Sequence, residues 1–469
     1  MSPSKSPNKS FYRAFGIVVG GLSVGILILA LLVTTSGPRV RHVVVQSPGA
    51  NGVVASVNQG LSVVFDRPIQ SSSDFENAVN IQPKTDYTVS HRNQQLNITF
   101  NQNLLSNTDY VLTINPLLED DLGKQMESEY TYEFSTAEPS FTYLERNYEP
   151  GATDKIIERS PLSEESQVLF GADKIKLFGR NANYLAVVVP RADSTDELRV
   201  DDLASVEERP IELPPNTRIE NLKFSPTDNQ FVFTARAIPT TDTSESSSEA
   251  SGDTLYRYDI DSDQLQPIAD MGEGGGVDTV LYSSDGQALL YQTLDSEYYL
   301  TGAAQSMEPI LLGKYGPTGG FDRTNNKLTF ISGANAMIYD AQAKEEKEVR
   351  NIQLGGRITT PMFLHNSDEL IYLREPIGEK ELQVYTADKD GNLEQQVVET
   401  QPPAQFFDEP VVSYDDRYVL IEATFEPQGD DRYVGHSKPK DARLVLYDRF
   451  DNKVIDPGNT RGVDPVWTR

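Results

Sequence analysis

Residues 221–236 read NLKFSPTDNQFVFTAR. Two runs rich in apolar and β-branched residues flank a tight polar turn, SPTDN, which is the signature of a β-hairpin. The same unit recurs along the chain as TVLYSSDGQALLYQT, GGFDRTNNKLTFIS, PMFLHNSDELIYLR and PVVSYDDRYVLIEA, with a weaker version, IKLFGRNANYLAVVV, ahead of it. Aligning the turns places Phe178, Phe224, Tyr282, Phe321, Phe363 and Val412 at one position. A last copy stops early at DPVWTR, with Trp467 at that position and Pro465 matching Pro361 and Pro410. The spacings are 46, 58, 39, 42, 49 and 55 residues, and periods of about 40–50 residues mark propeller blades.

Most copies are followed by a second two-strand motif, such as LYRYDIDSDQLQPI or LVLYDRFDNKVI, which brings each repeat to four strands. The final copy supplies one innermost strand. The stretch before Phe178 supplies the other three, as FTYLERN, DKIIERS and SQVLFGA. Six repeats plus one blade shared between both ends of residues 140–469 predict about seven blades. Closure of this kind removes an open sheet edge and buries Trp467 at the seam. The words FSPTDNQFVF and YSSDGQALLY make this region resemble the TolB-type propeller and the related propeller of prolyl oligopeptidases. Only one unit keeps Ser-Pro and only one has Asp-Gly, so the resemblance implies the fold and no named partner. Peptidase activity is not implied, because a hydrolase domain would need about 200 further residues.

Upstream, seven short alternating runs fill residues 42–137: RHVVVQSP, GLSVVFDRPI, AVNIQP, DYTVSH, QLNITF, DYVLTINP and EYTYEFSTA. Short β-branched and aromatic runs separated by Gly, Asn, Asp and Pro predict an antiparallel sandwich. Their order resembles a bacterial Ig-like domain of the kind found in surface-layer proteins. The resembling pieces include Ser47-Pro48-Gly49, SVVFDRPI, the Asp121-Leu122-Gly123 turn and the closing YTYEFSTA. That resemblance implies a non-catalytic spacer or adhesion module on a cell surface.

The N-terminal 41 residues carry Lys5, Lys9, Arg13, Arg39 and Arg41 and no acid. Residues 14–38 hold no charge at all. An apolar run of about 20 residues spans a bilayer as a helix, and a cleaved signal peptide has a shorter core and a small-residue cleavage motif. The expectation is a short cytoplasmic tail (1–13), one uncleaved transmembrane helix (14–38), and an extracytoplasmic bulk. Gly16 with Gly20, and Gly21 with Gly25, form small-residue pairs that suit helix packing and a homodimer in the membrane. Gly21 to Gly25 also spell G-x-S-x-G, but a nucleophile elbow needs a strand-to-helix turn with a histidine and an acid nearby. Inside an apolar helix the string is a chance match.

The whole chain has 469 residues and a formal charge of −29. Past residue 41 the balance is 36 basic against 70 acidic residues. Such acidity excludes nucleic acid as a partner, since phosphate binding needs clustered cations. With no cysteine, disulfides, thiolate nucleophiles and zinc-thiolate sites are excluded, and four histidines leave little for a histidine metal site. No cofactor or metal is expected. Asp388, Asp390 and Asn392 lack the bidentate acid of a calcium loop, GEGGG at 272–276 opens a strand rather than a helix, and Asp259, Asp261 and Asp263 read as a solvated turn.

Two long insertions, 239–253 and 427–441, fall between second and third strands and so project from one face of the propeller. The second is locally basic on an acidic protein, and Arg432, Tyr433, His436, Lys438 and Lys440 are its candidate partner contacts. The combined reading is an all-β, membrane-anchored binding or scaffolding protein without enzymatic activity. Its partner would be a protein or a cell-envelope component. The alternative is a hydrolase of envelope polymers using acids at the ring mouth.

Overall fold

The structure is a computed structural model describing residues 9–45, 60–71, 74–149, 151–205, 207–238, 252–303, 308–333, 335–349, 357–375, 383–391, 395–399, 406–424, 430–431, 438–439 and 441–468. It divides into two compact units, Met1–Ala137 and Glu138–Arg469.

In the first unit, each of the seven alternating runs contains a strand. Val40–Val45, Gly60–Phe65, Gln95–Phe100 and Tyr87–Arg92 pair in that order, and Val79–Gln82, Asp109–Ile114 and Tyr130–Ser135 form a second sheet. The period-two pattern does the sorting. In QLNITF, Leu96, Ile98 and Phe100 are buried, and in DYVLTI, Tyr110, Leu112 and Ile114 are. These two sets share one core with Leu61, Val63, Phe65, Ile81 and Phe134. A one-turn helix, Phe75–Ala78, was not legible from periodicity; the Asp74 carboxylate caps it by accepting from the Asn77 N–H at 3.3 Å.

The expected span is helical, as part of Lys9–Thr35. Among the described residues, no helix is long and apolar enough to cross a membrane. Within residues 13–26, Ile17, Val18, Leu22, Val24 and Ile26 are exposed.

In the second unit, seven four-stranded antiparallel meanders follow one another. The first sheet joins both ends of the unit. Val463–Trp467 pairs with Phe141–Glu145, followed by Asp154–Arg159 and Ser166–Ala172. The next four sheets start with Leu177–Arg180, Thr217–Phe224, Val277–Tyr282 and Thr318–Phe321. The sixth and seventh differ: their first strands are split into Arg357–Ile358 with Met362–Phe363, and Phe406–Phe407 with Val411–Val412. Pro361 and Pro410 sit in the breaks, and proline cannot donate to a ladder.

Second strands such as YLAVVVP and YVLIEAT are near-continuously apolar because they are buried on both faces. Outer strands meet water, and Glu345–Glu348 is exposed along its whole length. Separate apolar clusters join each sheet to the next. Leu185 and Val187 meet Leu144 and Ile156, Ala186 and Val188 meet Phe231 and Phe233, and Val232 meets Leu289 and Tyr291. The series continues with Leu290 against Phe330, Ile338 against Tyr372, and Ile371 against Ile421. The seventh sheet then packs on the first through Tyr418, Leu420 and Leu444 against Phe141 and Tyr143. Trp467 fills this last seam. It is 4% exposed, its indole N–H donates to the Val411 carbonyl at 2.9 Å, and its ring meets Phe141 edge-on at 5.5 Å.

Candidate functional site

The first strands of neighbouring sheets lie side by side. Several are irregular at an equivalent place. The register shifts between Ile219 and Asn221, between Val277 and Thr279, between Thr318 and Gly320, and between Val463 and Val466. A bulge leaves one residue out of the ladder and re-aims its side chain. The residues at these irregularities are Glu220, Asp278, Gly319 and Asp464, with Thr360 and Glu409 in the breaks of the split strands. Lys176 holds the matching place just before Leu177. Acidic side chains therefore dominate the inner positions.

These groups are held by hydrogen bonds that cross from sheet to sheet. At the start of the third strand in each of the first three sheets stands a buried aspartate. Asp154, Asp196 and Asp253 accept from the N–H of Ile175, Ile219 and Val277, at 3.1, 2.8 and 2.8 Å, in the sheet that follows. Each also meets a cation. Arg146 lies 3.5 Å from Asp154, Lys176 lies 3.0 Å from Asp196 and 3.5 Å from Glu220, and Arg236 lies 2.6 Å from Asp253. Ion pair and N–H bonds together offset the desolvation of the carboxylates.

Two glutamates do comparable work at the other end of the cycle. Glu422 accepts from the Asp464 N–H at 2.8 Å, tying the seventh sheet to the C-terminal strand. Glu409 accepts from the Thr360 N–H at 3.1 Å, tying the seventh sheet to the sixth. The Glu409 residue remains exposed to solvent. Crowding by protein pushes its carboxyl up to about 7, against the hydrogen bonds from Thr360 and Thr359 and with a further rise from Asp408. At neutral pH such a group can carry, give or take a proton.

On the side of the first turns, neighbouring sheets are also stitched together. Asn181 donates to Asn229 at 3.3 Å, and Ser284 donates through its N–H to Asn325 at 2.8 Å. The His365 and Asn366 N–H groups donate to Asp416 at 2.7 and 2.8 Å. Burial pushes the Asp416 carboxyl above its ordinary range despite those bonds. The His365 ring packs on Tyr414 at 5.4 Å. Ser413 donates to Asp415 and accepts from the Tyr418 N–H, so its hydroxyl closes a turn. Among the described residues, no three or more His, Cys, Asp or Glu are placed to hold a metal ion.

Of the proposed contact residues, Arg432, Tyr433, His436 and Lys440 lie outside the described residues. Lys438 falls in a short strand, Lys438–Pro439, paired with Asp430–Asp431. Gly16, Gly20, Gly21 and Gly25 lie on the N-terminal helix, with open space where a Cβ would sit. Asp388 accepts from the Asp390 N–H at 2.9 Å in a turn, and Asp259 accepts from Ser262 in another. The GEGGG segment forms a turn that opens Val277–Tyr282. Asp120, beside Glu119 and Asp121, accepts from the Leu122 and Lys124 N–H groups, both at 2.9 Å, and from Arg67. The inner acids and Lys176 were not singled out from the sequence. A visible signal was the aspartate that opens DKIIER, DELRVDD and DTLYRYD alike.

Residues 35–136 match the bacterial Ig-like domain family. No curated protein sequence matches the chain. Among solved structures, an oligogalacturonate lyase in complex with manganese is 12% identical, with a TM-score of 0.44 over 68% of this chain and 85% of that one. A prolyl endopeptidase is 12% identical, with a TM-score of 0.49 over 79% of this chain; the match spans about half of its length, 49%. TolB from Acinetobacter baumannii is 11% identical, with a TM-score of 0.39 over 84% of this chain and 83% of that one. At such values nothing of their activities passes to this chain.

Proposed function

We propose that this chain is a membrane-anchored extracytoplasmic binding or scaffolding protein. Its Ig-like unit serves as a stalk, and its seven sheets close as a β-propeller that presents the interaction surface. One observation carries the reading: seven sheets packed one on the next, the seventh on the first beside the C-terminal strand, make a rigid scaffold for the loops between strands. The match of residues 35–136 to a bacterial Ig-like family supports a surface setting. Anchoring rests on the uncharged stretch 14–38 and on the exposed apolar side chains of Ile17, Val18, Leu22, Val24 and Ile26 on the helix. The helix glycine pairs would permit a homodimer. The partner is a protein or envelope component met through the insertion holding Arg432, Tyr433, His436, Lys438 and Lys440.

Crosslinking in intact cells from positions in 427–441 tests this reading. It predicts a discrete crosslinked species that weakens when Arg432, Lys438 and Lys440 become alanine; crosslinking unchanged by those substitutions would discard the insertion as the contact. A second reading, hydrolysis of an envelope polymer, is favoured by one group, Glu409, whose carboxyl holds a proton near neutral pH within reach of solvent. Turnover of an envelope polymer that Glu409→Gln abolishes would replace the first reading with the second.

A further inference from the structure

The chain passes from the N-terminal helix into the Ig-like unit without a free linker. The helix Lys9–Thr35 is followed at once by Ser36, whose carbonyl accepts from the Arg67 guanidinium at 2.7 Å. Gly37 and Pro38 are buried. A Cβ on Gly37 would lie 1.7 Å from the Gln125 carbonyl oxygen and 2.9 Å from the Met126 nitrogen, so only glycine lets the chain press this close. The Arg39 N–H then donates to the Asp66 carboxylate at 2.8 Å, and the Asp66 N–H donates back to the Arg39 carbonyl at 2.9 Å. Val40 enters the first strand opposite Phe65.

Residues 115–126 grip this exit, and two apolar side chains stand out from them. Leu117 is 47% exposed and Leu122 is 69% exposed. Both belong to the grip. Leu122 donates its N–H to Asp120, which pairs with Arg67 at 3.3 Å. Leu117 precedes Leu118, whose carbonyl accepts from the Met126 N–H at 2.9 Å. We propose that this end of the Ig-like unit rests on the outer lipid surface, with Leu117 and Leu122 inserted at the boundary between headgroups and acyl chains. The inference rests on the anchoring reading above.

The length of the helix sets the height of this loop. Residues 14–35 are uncharged and helical. At 1.5 Å per residue they are about 33 Å long, which uses up a hydrocarbon core of about 30 Å. The headgroup layer beyond is only about 5–8 Å deep. Ser36 alone, reaching about 3.3–3.6 Å, separates the helix from the buried Gly37. The residues that hold Gly37 therefore lie at headgroup level. The charges at this end suit that layer. Arg67 faces Asp66 and Asp120, Arg39 pairs with Glu127 at 3.0 Å, and Glu119 accepts from the Gln125 amide at 3.2 Å. Asp121 and Lys124 flank Leu122 with opposite signs. A shallow insertion buries the two leucines and leaves these groups among the headgroups. Leu105, also exposed, lies beyond the far end of Asp109–Ile114, a strand about 20 Å long.

The chain has no cysteine, so an environment-sensitive fluorophore can be placed singly on Leu117→Cys, Leu122→Cys, Leu105→Cys or Ile26→Cys. All four positions are exposed, so the full chain should fold in each case. Each labelled chain is reconstituted in vesicles of phosphatidylethanolamine and phosphatidylglycerol, with lipids carrying a nitroxide quencher either shallow or deep on the acyl chain. The probes at Leu117 and Leu122 should shift to the blue and lose emission to the shallow quencher, and the Leu105 probe should do neither. The Ile26 probe reports the anchor and should lose emission to the deep quencher. A Leu117 or Leu122 probe that escapes the shallow quencher while Ile26 meets the deep one would overturn the lipid contact and leave the anchor standing. Equal quenching at Leu105 would overturn it too, since the unit would then lie on its side. An Ile26 probe that escapes the deep quencher would remove the anchor and this inference with it.

Discussion

Replacing Phe141 by alanine should open the seam where the two ends of the second unit meet. Phe141 is 1% exposed, lies opposite Trp467 in the strand ladder, and touches its ring edge-on at 5.5 Å. Truncating a buried phenylalanine costs about 3–5 kcal/mol, of which the aromatic pair is about 0.5–1.5. The surrounding strands have little room to relax, since Leu420, Leu444 and Leu446 are each at most 1% exposed, so the upper half of that range is expected. Trp467 is the only tryptophan in the chain, and its fluorescence reports on this seam and no other. In urea, the midpoint of the fluorescence transition should move down by roughly 1 M or more. Deleting the last eight residues removes the closing strand, and the second unit should then lose its cooperative transition by circular dichroism. A Phe141→Ala midpoint within the equivalent of about 1 kcal/mol of the native one, or a truncated chain that melts like the full one, would refute closure by the C-terminal strand.

Asp196→Ala leaves the Ile219 N–H without its acceptor and the buried Lys176 ammonium with only Glu220, 3.5 Å away, at an expected cost of about 1–3 kcal/mol in chemical denaturation; adding Lys176→Met should recover part of it. In Gly319→Ala the new Cβ would lie 2.2 Å from the Pro361 carbonyl oxygen and 2.5 Å from Thr329 Oγ1. The fifth and sixth sheets must part to admit it, and a loss of about 1–3 kcal/mol should appear in the same assay. In the Ig-like unit burial pushes the Asp120 carboxyl up, but hydrogen bonds from the Lys124 and Leu122 N–H groups and from Arg67 outweigh this and hold it below the usual range. Its stabilisation is present above the unfolded carboxylate value and is lost as pH falls through the lowered one. Asp120→Asn should flatten that acid limb of the unit's melting profile and cost about 1–3 kcal/mol at neutral pH.

The hairpin repeat was legible because each unit is local. A turn such as SPTDN and its flanking strands sit within sixteen consecutive residues, and the period-two pattern needs no distant partner. For the same reason the strands of the Ig-like unit could be placed one by one. The seam was readable by subtraction, since the last copy lacked what the first stretch held in surplus. Junction chemistry was not. Glu409 and Thr360 are 49 residues apart, and Asp464 and Glu422 are 42 apart. In a chain with 70 acidic residues no local feature marks which ones will be buried. The recurring aspartate at third-strand starts was within reach, because its position repeats with the blades. The long insertion that holds residues 432–440 is conspicuous in the sequence, whereas the junction groups are not.

The central claim is that a single N-terminal helix holds both β units outside the cytoplasmic membrane. Protease added to intact cells, followed by detection of the chain in the membrane fraction, tests it most directly. The account predicts that residues 42–469 are degraded while the N-terminal tail and helix remain protected in the membrane. Full protection of the β units, or a chain recovered in the soluble fraction after lysis, would contradict it.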